Sequence, residues 1–338
     1  MNQAPNIIQY SKNNYSIANL IKIELLQFED MARNKVIEQL GIIYKKTKKL
    51  LLQDKIDTYR YSKVPPIIQI EPTNYCNLKC ICCPVPWMSR KRGYMTFDLF
   101  KKIIDDASQI GVKQVDLFLH GEPLLHPRFI EMVTYIKTKK LRVIITTNGT
   151  LFEKEKTELL LQSGVNSNDM VLFSILGYSK EVHEMIQKGV NHEKVVSNIR
   201  YMLELRKKLN LDGPEIGVDF WTTPENEHEK NQYEEFWRGI VDSVIVNPAS
   251  QVWGVENKQE VKIPPRNKSC WLLWKRMCIT WDGYVSSCTS DVNGEYLLGD
   301  LNKQSIREIW NNEKMLSLKK LHKKRKFQEI PLCSKCDW

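Results

Sequence analysis

Cys76, Cys80 and Cys83 stand as C-x3-C-x2-C, so one short loop can aim three thiolates at a single point. Zinc sites usually bring cysteines in C-x2-C pairs that close four ligands. Three clustered thiolates in this spacing suit a cubane 4Fe-4S cluster that leaves one iron open. A second group, Cys270, Cys278, Cys288, Cys333 and Cys336, lies toward the C-terminus. An exported chain could use its nine cysteines as a disulfide framework, but the N-terminus has no charged region leading into an apolar core and the spacings are those of ligands. The expectation is a cytoplasmic protein with reduced thiols committed to metal or redox chemistry.

The elements that must position these thiols follow from periodicity. An apolar run at 67–71 leads directly into the first cysteine loop, and further β-rich runs occur at 115–120, 142–147, 170–175, 215–221 and 243–247. Amphipathic segments near 96–110, 127–139, 151–163, 179–207 and 227–240 separate them, with Thr96, Ser179 and Asn226 as expected caps. Alternation of this kind predicts parallel βα units with right-handed crossovers, whose site lies at the carboxyl ends of the strands. Residues 1–64 read as helical, with one apolar stripe per helix, and end at Pro65 and Pro66. The domain expectation is therefore a helical segment at 1–64, a barrel at 65–250 and a small domain at 251–338. In the last of these, Asp282-Gly283 between two short apolar runs is a tight hairpin signal.

The formal charge of +10 is concentrated at 45–49 and 319–326. No aromatic interleaving or nucleic-acid motif accompanies these runs, so they read as solvated helix faces and nucleic acid is not an expected partner. No apolar run approaches the roughly 20 residues of a spanning helix. His126, His183, His192, His228 and His322 form no metal-spaced pair and read as surface or cap residues. Arg90-Lys91-Arg92 is either a solvated run or a contact for an anionic substrate group, and Trp87, Met88, Trp221 and Trp253 are candidates for a substrate mouth.

From about residue 67 onward the chain resembles the radical S-adenosylmethionine (SAM) enzymes. Cys76, Cys80 and Cys83 match that family's motif thiol by thiol, although Cys82 stands where an aromatic residue is usual. The resemblance implies a partial (β/α)6 TIM-like barrel, a SAM-chelating 4Fe-4S cluster, and cleavage of SAM to a 5′-deoxyadenosyl radical. Gly121 and Glu122 match the glycine-glutamate motif, with His120 replacing its first glycine, and imply a carboxylate that accepts from the SAM ammonium group. Asn148 and Ser174 resemble the polar residues that close the third and fourth strands beside SAM. Relatives often carry Asp where this chain has Leu176 and a basic residue where it has Gln187.

Cys270, Gly283-x4-Cys288 and Cys333-x2-Cys336 resemble the twitch or SPASM extension of the same family. The resemblance implies that Cys270, Cys288, Cys333 and Cys336 ligate one auxiliary 4Fe-4S cluster at every corner; a zinc ribbon is the alternative for four cysteines. A fully ligated cluster suits electron transfer, which points to hydrogen abstraction from a hydroxylated small molecule followed by dehydrogenation or epimerisation. Cys278, needed by neither cluster, is then either a hydrogen donor or a small buried residue. A reducing partner such as flavodoxin or ferredoxin is implied as well. Modification of a ribosomally made peptide is the second enzymatic expectation, and a non-catalytic iron-sulfur or zinc scaffold the alternative of another class.

Overall fold

The computed structural model describes residues 62–248 and 269–336. The expected helices of residues 1–61 and the aromatic candidate Trp253 lie outside these. Six parallel strands appear where the alternation placed them: β1 (Ile67–Ile70), β3 (Gln114–Asp116), β4 (Arg142–Thr147), β5 (Met170–Ser174), β7 (Glu215–Thr222) and β8 (Ser243–Pro248). Helices α1 (Phe97–Ile110), α2 (Phe129–Thr138), α3 (Lys154–Gln162), α4 (Lys180–Ile186), α5 (His192–Lys208) and α6 (Lys230–Trp237) cross between them. Strand interiors such as Ile68, Val115, Val143, Val171 and Val218 are fully buried, as sheets covered by crossover helices require.

Thr96 and Ser179 cap α1 and α4 as expected, accepting from Leu99 N–H and Val182 N–H. Asn226 makes no such cap. Its Oδ1 accepts from its own turn at Thr223 N–H (2.7 Å), and its Nδ2 donates to the carbonyls of Leu176 and Trp221. The expected helix at 179–207 is broken into α4 and α5. Between them β6 (Gln187–Lys188) pairs antiparallel with β2 (Lys79–Cys80), so the gap between the helices holds the cysteine loop in place. No local pattern announces that pairing.

The sheet does not end with the barrel. β9 (Arg276–Ile279) lies parallel against β1, with Gln69 opposite Cys278, and turns through Asp282-Gly283 into β10 (Tyr284–Ser286), which pairs with β11 (Leu297–Asp300). The nine strands run in the order β11-β10-β9-β1-β3-β4-β5-β7-β8. Gly283 turns the hairpin at φ 89°, a left-handed value that glycine adopts without cost. Helices α7 (Leu272–Lys275), α8 (Ile306–Trp310), α9 (Glu313–Lys323) and α10 (Pro331–Ser334) complete this end. Ser305 caps α8 with a full capping box to Glu308. The basic run at 319–326 is not wholly a solvated face, because Lys319 is buried with its ammonium 3.6 Å over the Trp310 ring.

Glu71, just past β1, fastens the first cysteine loop and the hairpin together. Its carboxylate takes both arms of Arg90 at 2.7 and 3.1 Å, His120 Nδ1 at 3.2 Å and the Trp281 N–H at 3.0 Å. Arg90 Nε donates onward to the carbonyl of Val292, and His120 Nε2 lies 3.1 Å from that of Thr289. Burial pushes the Glu71 carboxyl up, but the hydrogen bonds and charges of His120 and Arg90 outweigh it and hold the group below its usual 4.5. On acidification the unfolded chain therefore takes up this proton first, and the stability present above 4.5 drains away as pH falls. Glu71→Gln leaves a buried guanidinium without its charge partner and is expected to lower the unfolding free energy by about 3 kcal/mol. Denaturant titration near pH 7 should register that loss, and the gap to the parent protein should narrow below pH 4.5.

Candidate active site

The loop between β1 and β2 is held by side chains standing in for missing backbone partners. Thr73 Oγ1 donates to the Gly93 carbonyl (2.7 Å); Asn74 bridges the Lys91 carbonyl and the Gly93 N–H at 2.9 Å each. Arg92 donates to the carbonyls of Asn74 and Val85. Arg90 and Arg92 are therefore committed to internal partners, and the basic run does not present them to a substrate. Cys83 N–H donates to the Cys80 carbonyl (3.2 Å), a turn that brings these two thiols to one side, and Ile81 N–H donates to the Ile186 carbonyl (2.9 Å).

Cys76, Cys80 and Cys83 neighbour one another. Burial pushes Cys76 up to about 12, with the Glu122 carboxylate and the Cys83 thiol adding to it, while an Asn148 hydrogen bond works the other way. Burial raises Cys83 to about 11 and Cys80 well above its usual value, the latter helped by the other cysteines of the loop. Desolvated thiols of this kind ionise when a metal cation supplies the compensating charge. Among the described residues, no three of His, Cys, Asp and Glu converge as ligands of a single ion do. Three neighbouring thiols are a donor set that an iron-sulfur cluster can take, one thiolate to each of three irons. Cys82, half-buried, is raised to about 11 by burial, with Glu225 nearby.

Gly121 and Glu122 follow β3. Gly121 has φ 82°, and a Cβ there would meet the Tyr75 and Thr73 carbonyls at 2.5 and 2.6 Å, so only glycine lets the two loops touch. Glu122 is 2% exposed and its carboxylate is encircled by the chain. Oε1 accepts from Leu124 N–H (3.1 Å) and Thr147 Oγ1 (2.8 Å), and Oε2 accepts from Asn148 N–H (2.8 Å). Burial nevertheless lifts its pKa to about 7. Asn148 Nδ2 donates to Asn77 Oδ1 (2.9 Å), and Asn77 in turn donates to Thr150 Oγ1 (2.8 Å). Asn148 thus locks the strand-end turn to the cysteine loop. Ser174 is in register with Asp219 on β7 and hydrogen-bonds its carboxyl.

The C-terminal thiols divide as follows. Cys270, Cys288 and Cys333 are neighbours, since the charges of Cys270 and Cys333 both act on Cys288, which burial raises well above its ordinary value. Cys336 lies one turn beyond, its N–H 3.3 Å from the Cys333 carbonyl. Cys278 is 2% exposed and donates to Gln69 Oε1 at 3.6 Å. Met277, Ile279 and Thr280 are buried too, so β9, covered on both faces, turns no side toward solvent.

Sequence reasoning missed Asn77 and Gln187 and misplaced three histidines. Asn77, directly after the first cysteine, had adjacency as its only signal. Gln187 holds Leu176 N–H (2.9 Å) and hydrogen-bonds the Cys80 thiol, which became visible only through the β2–β6 pairing. His126, His183 and His322 are buried rather than surface residues. His126 Nε2 meets the Met95 carbonyl (2.9 Å), and His183 stands against His192 with 2.9 Å between their Nδ1 atoms. His322 reaches the second thiol set. Trp87 is exposed, Met88 is buried, and Trp221 donates to Asp219 (2.7 Å).

Residues 70–214 match the radical SAM superfamily, and residues 270–337 match the SPASM iron-sulfur cluster-binding domain. A tungsten-containing aldehyde ferredoxin oxidoreductase cofactor-modifying protein of Pyrococcus furiosus is 26% identical over 80% of this chain and 86% of its own. The S-adenosyl-L-methionine-dependent 2-deoxy-scyllo-inosamine dehydrogenase of Niallia circulans is 24% identical over 81% and 94%. Among solved structures, BtrN in complex with AdoMet and 2-DOIA aligns over 81% of this chain and 94% of that one, with 20% identity and a TM-score of 0.56. Streptococcus suis SuiB bound to precursor peptide SuiA aligns over 78% and 68%, with 16% identity and a TM-score of 0.62. These likenesses share one fold, and the two domain matches follow one another along the chain: this protein belongs to the radical SAM superfamily, with a SPASM iron-sulfur domain following its barrel.

Proposed function

We propose that this radical SAM enzyme oxidises a hydroxylated small molecule of the sugar or aminocyclitol type, beginning with removal of a hydrogen atom from carbon. SAM and iron-sulfur clusters are the cofactors its two domains imply, and when bound they supply the one-electron cleavage that makes a 5′-deoxyadenosyl radical. Cys76, Cys80 and Cys83 are the residues suited to hold the first cluster, and Cys270, Cys288, Cys333 and Cys336 the second. Glu122 presents a carboxylate fixed by Leu124, Thr147 and Asn148, arranged to receive an ammonium group, and Asn148 steadies Cys76 beside it.

The observation that carries the choice of oxidation over epimerisation is the set of neighbours around Cys278. Epimerisation needs a thiol able to return a hydrogen atom to the substrate. Cys278 donates to Gln69 and neighbours Cys288 and Cys270 of the second thiol set, which favours a place beside the electron acceptor over one beside the substrate. Oxidation instead removes two hydrogens, the second as a proton and an electron, and the second thiol set is where the chain can keep an acceptor for that electron. The activity of the Niallia circulans relative, a 2-deoxy-scyllo-inosamine dehydrogenase matched over 94% of its length, supports the substrate class. No helix of the described residues is long and apolar enough to cross a membrane, and the reductant we expect is a flavodoxin or ferredoxin.

Anaerobically reconstituted protein with SAM and dithionite should release 5′-deoxyadenosine and give a product two mass units lighter. In deuterium oxide that product should carry no new deuterium on carbon; a product of unchanged mass in ordinary water that carries one carbon-bound deuterium after turnover in deuterium oxide would mean epimerisation, and turnover of a peptide alone would replace the small-molecule reading. Cys278→Ala should leave product yield within about twofold of the parent. Loss of product with continued 5′-deoxyadenosine release would restore that thiol as a donor.

Glu122→Gln should weaken SAM binding ten- to a hundredfold, on the order of 1.5–3 kcal/mol for a charge-assisted bond, as read by equilibrium dialysis. Only the ionised carboxyl gives a charge-assisted bond to an ammonium group, so affinity in the parent should fall as pH drops through about 7, and the variant should lose that dependence. Equal affinity at all pH values in both proteins would remove Glu122 from the site.

A further inference from the structure

His322 sits in the last turn of α9 (Glu313–Lys323), fully buried, and bridges two residues of the second thiol set. Its Nδ1 is 3.2 Å from the backbone nitrogen of Cys270, and its Nε2 is 3.3 Å from Cys333 Sγ. The Cys270 amide can only donate, so Nδ1 must be the bare nitrogen of a neutral ring. The ring hydrogen is then on Nε2 and points at the Cys333 sulfur. The orientation is fixed on three sides. Ser269 Oγ donates to the His322 carbonyl (2.7 Å), and the rings of Phe327 and Trp274 stand with centroids 5.1 and 6.3 Å away.

We propose that His322 is a positioning residue of the auxiliary centre: it aligns Cys270 with Cys333 and, through its Nε2–H···Sγ hydrogen bond, raises the reduction potential of the cluster those thiols hold. The inference rests on the reading that Cys270, Cys288, Cys333 and Cys336 carry that cluster. An N–H dipole aimed at a ligand sulfur favours the more negative, reduced state, which is one of the means by which proteins set cluster potentials. A higher potential suits a centre that must take an electron from the substrate. Ligating histidines commonly orient a metal site from within; here the imidazole does so from outside the ligand set, and helical spacing alone does not reveal it.

The test uses the full chain with Cys76, Cys80 and Cys83 changed to Ala, so that any cubane counted by iron analysis and electron paramagnetic resonance is the auxiliary one. In that background His322→Phe keeps a planar ring but loses both hydrogen bonds, and His322→Gln restores a donor toward Cys333 alone. Potentiometric titration should show the phenylalanine variant shifted to more negative potential and the glutamine variant returned toward the parent. Identical potentials in all three proteins, each with its cubane intact, would overturn the inference. Loss of the cubane from the phenylalanine variant with retention in the glutamine variant would support it, whereas loss from both would show that the ring serves packing only. Absence of a cubane already in the background protein would instead remove the four-cysteine reading on which the inference stands.

Discussion

The structure depends on how one carboxylate, Glu71, is satisfied. It leaves β1 fully buried, and its partners arrive from three other places: Arg90 beyond the first cysteine loop, His120 after β3, and the backbone of Trp281 at the hairpin. Buried charge is tolerated only when it is paired and hydrogen-bonded. Each partner is therefore forced to a position, and through Val292 and Thr289 the loop that precedes β11 is forced as well. The two thiol sets have a common reference because one ionised group cannot be left alone.

The same logic repeats at Glu122, on a smaller scale. Three donors from two strand ends converge on it, and the adjacent Asn148–Asn77–Thr150 exchange carries the restraint into the cysteine loop. A carboxylate proposed to receive an ammonium group would ordinarily wait for it with free lone pairs. This one is already fixed in direction, which preorganises the site at the expense of burying a charge that its surroundings lift toward neutrality.

Much of this was legible in the residues. The C-x3-C-x2-C spacing, six β-rich runs with amphipathic spacers and the Asp282-Gly283 turn all state local requirements, and local requirements are what a sequence displays. The break at Gln187 was not legible, because its cause is a partner strand at Lys79–Cys80, far away in the chain. Asn226 reads as a cap and folds its amide into the turn. His322 reads as one more polar residue in a basic helix, and only the approach of Cys270 and Cys333 gives its two nitrogens different jobs. Arg90 and Arg92 looked available for substrate until their acceptors, most of them backbone carbonyls, were located. In each case the deciding contact, a side-chain one or a strand pairing and often long-range, is invisible to periodicity.

The parallel pairing of β1 with β9 has a consequence for how the protein is made. Gln69 and its neighbour Cys278 are 209 positions apart, and β1 has β9 along one edge and β3 along the other. During synthesis the barrel strands emerge first, with β1 exposing an unpaired edge and Glu71 lacking the Trp281 amide. Closing so long a loop is slow, and an open edge invites pairing with another chain. The first cysteine loop is therefore complete in sequence long before its surroundings are complete in space, and the nascent chain depends on its last hundred residues to seal the strand from which that loop departs.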